Sequence, residues 1–94
     1  MKPVADQELA ARVIAWLRRL RSNPAAEVIS ELAMLSHAVR HDDPNQGDQR
    51  NDAYLAVMSL RKLLEECDPS SPEITVAWDK AIAKTEAWER WLLS

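Results

Sequence analysis

One glycine, Gly47, is all that the 94-residue chain contains, and this limits its fold more than any other feature. Tight hairpin turns and bulges call on glycine for positive φ, and dinucleotide or phosphate-cradling loops need several glycines together. A chain with one is poorly supplied for a sheet, a Rossmann crossover or a P-loop. Helices need none, and the hydropathy pattern follows helical spacing.

Four amphipathic segments can be read. The first begins near Asp6 as N-cap and runs to about Arg21, with Leu9, Val13, Trp16, Leu17 and Leu20 recurring at steps of three and four. Asp6 and Glu8 lie near its positive end, and Arg18, Arg19 and Arg21 near its negative end. Ser22-Asn23-Pro24 closes it and opens the second, read from Pro24 to about His41 on Val28, Leu32, Leu35 and Val39, with Ile29 beside them. His41-Asp42-Asp43-Pro44 stops that helix, since proline disfavours a helical residue before it. Residues 42–51 form a long polar stretch that reads as a surface loop. The third segment spans about Asn51 to Cys67 on Tyr54, Val57, Met58, Leu60, Leu64 and Cys67, with Leu55 and Leu63 on the flanks. Ser70-Ser71-Pro72-Glu73 then reads in two ways. It is a capping box with Ser70 as N-cap, or a start with Ser71 as N-cap and Pro72 at the first helical position. The fourth helix runs from Pro72 to about Leu92 on Ile74, Trp78, Ala81, Thr85, Trp88 and Leu92, with Ala77 and Ile82 alongside.

This predicts a single all-α domain over residues 1–94, an antiparallel four-helix bundle with helices at about 6–21, 24–41, 51–67 and 72–92. The alternative is a pair of helical hairpins that complete their core by dimerising. Apolar residues at 47% and charged residues at 29% suit a globular chain. The single cysteine, Cys67, permits no internal disulfide and fits a reducing compartment. No apolar run suits a signal peptide or a membrane span, so the expected location is the cytoplasm.

Net charge is −3, which argues against nucleic acid as the main partner. Its distribution is uneven: residues 1–22 carry +3 and residues 41–52 carry −3.

Catalytic motifs are missing: no nucleophile elbow, CxxC pair or HExxH occurs. The sharpest chemical grouping is His37 and His41, i and i+4 on one helix face, with Asp43 as a third metal ligand and Asp48 or Asp52 able to fold back. Histidines at a helix C-terminus are equally explained by the dipole and the terminal carbonyls. The acids Glu27, Glu31, Glu65 and Glu66 do not converge on one face as a magnesium site requires. Cys67 ends an apolar stripe and reads as a small core thiol. No metal, cofactor or catalytic residue is therefore assigned.

Interaction signals are better. Trp88-Glu89-Arg90-Trp91-Leu92-Leu93 cannot turn all four apolar side chains inward, since Leu93 follows Leu92 by about 100°, so at least one should be exposed unless the terminus folds over a groove of its own domain. Arg18, Arg19 and Arg21 form a basic pole, and Asp42, Asp43 and Asp48 an acidic loop. The expected function is a non-enzymatic protein-interaction module acting through a helical face, its own copy being one candidate partner. Trp91, Leu93 and Arg90 would form one contact patch, with Arg18, Arg19 and Arg21 at the opposite pole. Alternatives are an inhibitor carried by a phage or mobile element, with the acidic loop engaging a basic host protein; a metal-binding protein or metal-dependent enzyme using His37 and His41; and a nucleic-acid binder using the N-terminal arginines.

Overall fold

A computed structural model describes residues 3–22, 27–41, 47–68 and 70–94, and shows four helices: α1 (Val4–Ser22), α2 (Val28–Val39), α3 (Asp48–Glu66) and α4 (Pro72–Leu93). No strand occurs among the described residues.

The longest helix, α4, packs between α1 and α3, and α3 carries α2 on its other flank. The α1–α2 edge is much thinner than the α3–α4, α1–α4 and α2–α3 contacts. Direction is fixed by the pairs that cross between helices. Arg18 meets Glu86 at 2.7 Å while Arg21, further along α1, meets Asp79, earlier in α4. Arg50 in the first turn of α3 reaches the last carbonyls of α2. Neighbouring helices thus run antiparallel, and the bundle measures 42 × 22 × 20 Å.

The core forms where the helical stripes meet. Leu17, Leu32, Leu35, Val39, Val57, Leu60 and Trp88 are fully enclosed. Each large aliphatic chain buried there contributes about 1.5–3 kcal/mol from apolar surface removed from water. On α4 the expected stripe is buried in full, from Ile74 through Trp78, Ala81, Thr85 and Trp88 to Leu92. The Thr85 hydroxyl donates to the Ala81 carbonyl at 2.8 Å, so its oxygen does not enter the core unsatisfied. On α1, Ala10 and Ile14 are buried, while Leu9 and Trp16 pack against the core from its edge.

Several expected boundaries move. The first helix begins at Val4, two residues before the proposed Asp6 cap, and Asp6 lies inside its first turn. The second ends at Val39, short of His41; its proposed start at Pro24 lies outside the described residues. The third begins at Asp48, so the last four residues assigned to the polar loop are helical. A polar first turn explains this: Asp48 favours the positive helix end, and Arg50 turns inward. Residues 42–46, half of the expected loop, lie outside the described residues. At the last junction Ser71 is the N-cap, accepting from the Glu73 amide at 3.4 Å, with Pro72 following at N1. The second of the two readings of that segment therefore applies.

Candidate functional site

The most heavily engaged polar side chain belongs to the scaffold. Arg50 is only 5% exposed. Its Nε donates to the Val39 carbonyl at 2.7 Å, and Nη2 to the Ala38 carbonyl at 3.4 Å. These carbonyls end α2, where no further turn supplies donors. Nη1 lies 3.6 Å from the Asp6 carboxylate of α1, and the guanidinium sits over Trp88 of α4, 5.0 Å from the ring centroid. One side chain thus ties all four helices together at one end of the bundle. Burial lowers its pKa and Asp6 opposes that shift. The Trp88 indole N–H beneath it has no acceptor among the described residues.

At the same end, Gly47 enters α3 at φ 84 and ψ 156, a region essentially confined to glycine. A Cβ there would lie 3.0 Å from both Cζ2 and Cη2 of Trp91. The Trp91 ring is therefore laid over the start of α3 and is half-buried. Leu93 is 64% exposed and Arg90 is also exposed. Of the expected terminal patch, Leu93 and Arg90 face outward, and Trp91 is partly used by its own fold.

Three of the four α1 arginines are likewise engaged. Arg18 pairs with Glu86 and Arg21 with Asp79, and Arg19 approaches Glu31 at 3.8 Å. Glu31 also accepts from the Trp16 indole at 3.3 Å, bridging α1 to α2. A depression of about 480 Å³ lies along this face between Arg12, Ala15, Trp16 and Arg19, with Glu31 meeting two of the four. His37 and His41 are both exposed. Asp42 and Asp43 lie outside the described residues, and Asp48 is exposed in the first turn of α3. Among the described residues, no three His, Cys, Asp or Glu side chains come together as a metal site would need. Cys67 is half-buried at the end of α3, against the core.

A different surface emerges on the outer side of α3 and α4. Leu55 is 51% exposed and Val76 is 65% exposed. Leu55 lines two adjoining clefts. One, of about 230 Å³, lies between the helices, with Ala56 and Ser59 on α3 and Lys80 and Lys84 on α4. The other, of about 420 Å³, continues over α3 past Met58, Ser59, Lys62, Glu66 and the paired Arg61 and Glu65. Lys62, Lys80 and Lys84 have no carboxylate partner among the described residues, in contrast to Arg18, Arg19, Arg21, Arg50 and Arg61. Val4 and Met34 are also exposed, but isolated apolar side chains are ordinary on a surface. Leu55 differs because it borders two clefts that also carry charged side chains of both signs, Asp52, Lys80 and Lys84 in one and Arg61, Lys62, Glu65 and Glu66 in the other.

Sequence reasoning passed over this face, although its signal is present. Val76, Lys80 and Lys84 recur at i, i+4 and i+8, which places them along one side of α4.

Compared with protein-family models, with curated proteins and with solved structures, the chain matches none. The architecture defines a class, the up-and-down four-helix bundle, with two adjoining clefts of mixed charge on the outer side of α3 and α4. No helix among the described residues is long and apolar enough to cross a membrane.

Proposed function

We propose that the protein is a non-enzymatic interaction module that binds a protein partner through the outer face of α3 and α4. The observation that carries this reading is the pairing pattern of its cations. Four arginines with carboxylate partners cross between helices and serve the bundle, while Lys62, Lys80 and Lys84 remain unmatched around the exposed Leu55. Apolar side chains framed by polar ones are the usual composition of a contact surface. The Leu93–Arg90 end of α4 is a secondary contact, and Trp91 contributes through the edge of its ring. A second copy of the chain is one admissible partner, and a foreign protein that the module blocks is another.

The test is photocross-linking in cells of the native host. A photoreactive phenylalanine replaces Leu55 or Val76, and in a control chain it replaces Ser30, which is exposed on α2. Discrete adducts from positions 55 and 76, weaker or missing from position 30, support the reading; an adduct of twice the chain mass identifies a second copy. Equal labelling from all three positions, or none from 55 and 76, would overturn it.

A further inference from the structure

We infer that two copies of the chain pair through the outer face of α1, antiparallel about a two-fold axis. The core takes Ala10, Val13, Ile14, Leu17 and Leu20 of this helix. Diametrically opposite them, at steps of three and four, run Ala5, Glu8, Arg12, Ala15, Arg19 and Ser22, all exposed. A sustained alternation of three and four is the spacing with which one helix packs along another. No described residue of the chain covers this stripe.

The stripe is complementary to its own reversal. In a two-fold contact residue i meets j of the second copy while j meets i. An axis passing midway between Val13 and Ile14 sets Ala5 against Ser22 of the second copy, Glu8 against Arg19, and Arg12 against Ala15. The depression of about 480 Å³ between Arg12, Ala15, Trp16 and Arg19 then has an occupant. Arg12 of the second copy lies over the small Ala15 and beside the Trp16 ring, a favourable seat for a guanidinium. Helical side chains lean toward the N-terminus, so the two Arg12 chains diverge from the axis, each toward the other copy's Trp16. Glu31 accepts from that indole at 3.3 Å and stands 3.8 Å from Arg19. Each copy thus brings Glu8 and Glu31 against Arg12 and Arg19, and the joint as a whole is neutral.

The same charges name the occupant. A uniformly acidic partner would meet Glu8 and Glu31, and a uniformly basic one Arg12 and Arg19. A parallel copy would set Arg12 on Arg12 and Arg19 on Arg19. The antiparallel copy places opposite charges together at both ends of the contact. One helix pair lies at the small end of specific interfaces, so the association depends on concentration. α3 lies diagonally across the bundle from α1, so pairing on α1 neither requires nor hinders a partner at Leu55.

Exchange of the paired charges tests this. Glu8→Arg confronts Arg19 of the second copy with a cation, and Arg19→Glu confronts Glu8 with a carboxylate, so each variant by itself should dissociate. Mixed in equal amounts they match, because one chain then supplies cations at both positions where the other supplies carboxylates. Sedimentation equilibrium, with one chain carrying a fluorescent label, reads self-association and mixed pairs separately. Wild type is expected in a monomer–dimer equilibrium. Each variant should be weakened at least about tenfold, a difference of about 1.4 kcal/mol, and the mixture should recover most of that loss as a heterodimer. A variant that merely failed to fold would gain nothing from mixing, so recovery separates lost contact from lost fold. A wild-type chain that stays monomeric up to about 1 mM, whether or not α1 then takes a foreign partner, would overturn the inference. Variants that associate as wild type does, or a mixture no tighter than either variant alone, would overturn it too.

Discussion

Arg50 is a cation placed where an isolated charge would be costly, and its partners explain why it is tolerated. Two terminal carbonyls of α2, the Asp6 carboxylate and the Trp88 ring surround it. Replacing it with methionine, which keeps much of the volume, should leave those carbonyls without donors and lower stability by about 2–4 kcal/mol. Lysine should recover less than half of that loss, because a compact ammonium cannot span two carbonyls and stack on the indole at once. Urea denaturation of the three chains checks this; Arg50→Lys as stable as wild type would contradict it. Gly47 offers a second test. Gly47→Ala forces a side chain into positive φ and against Trp91, and should cost about 1–3 kcal/mol. Part of the penalty is the clash, so Gly47→Ala should be milder in a Trp91→Ala background. A double-mutant cycle with no coupling would show that the ring does not rest on Gly47.

At the scale of elements, the start of α4 has a pH signature. The Asp68 carboxylate accepts from the Ser70 amide at 2.9 Å and from its hydroxyl at 2.8 Å, which lowers its pKa below the ordinary 3.8. A carboxyl group with a depressed folded pKa binds fewer protons folded than unfolded. Its contribution is therefore complete above 3.8 and is lost as pH falls through the lower folded value. Carboxyl NMR should place the Asp68 midpoint below 3.8, and Asp68→Asn should flatten the acid limb of the melting curve; a midpoint at or above 3.8 would refute the turn. Removing the neighbouring cap by Ser71→Ala should cost about 1 kcal/mol. A helix start at this junction and the whole buried stripe of α4 were legible in the sequence, because proline, serine and strongly apolar residues recur at helical steps; which serine caps it, Ser70 or Ser71, was not, since either can reach a free amide of the first turn. α3 was harder to read. Its buried face includes Arg50, Ala53 and Ala56, which a search for large apolar residues ranks below Tyr54 and Met58, both only half-buried. Its first turn, Asp48-Gln49-Arg50, resembles a loop until the inward contacts of Arg50 are known. The outer clefts were missed for a related reason: lysines are expected on any helix surface, and only the ion pairs of Arg18, Arg19, Arg21, Arg50 and Arg61 set Lys62, Lys80 and Lys84 apart from them.

For the whole molecule, the division of charge matters more than its sum. Arg18 and Arg21 reinforce the α1–α4 contact from exposed positions, where each pair contributes no more than about 1 kcal/mol. Lys80 and Lys84 have no such role, so their reversal should leave the melting temperature nearly unchanged. The most direct test of the account compares two charge-reversal pairs under the same cross-linking from position 55: Lys80→Glu with Lys84→Glu, and Arg18→Glu with Arg21→Glu. The account predicts that the lysine pair abolishes the adduct at constant stability, while the arginine pair lowers stability slightly and keeps the adduct. An adduct that survives the lysine reversal and disappears with the arginine reversal would contradict it and move the working surface to α1.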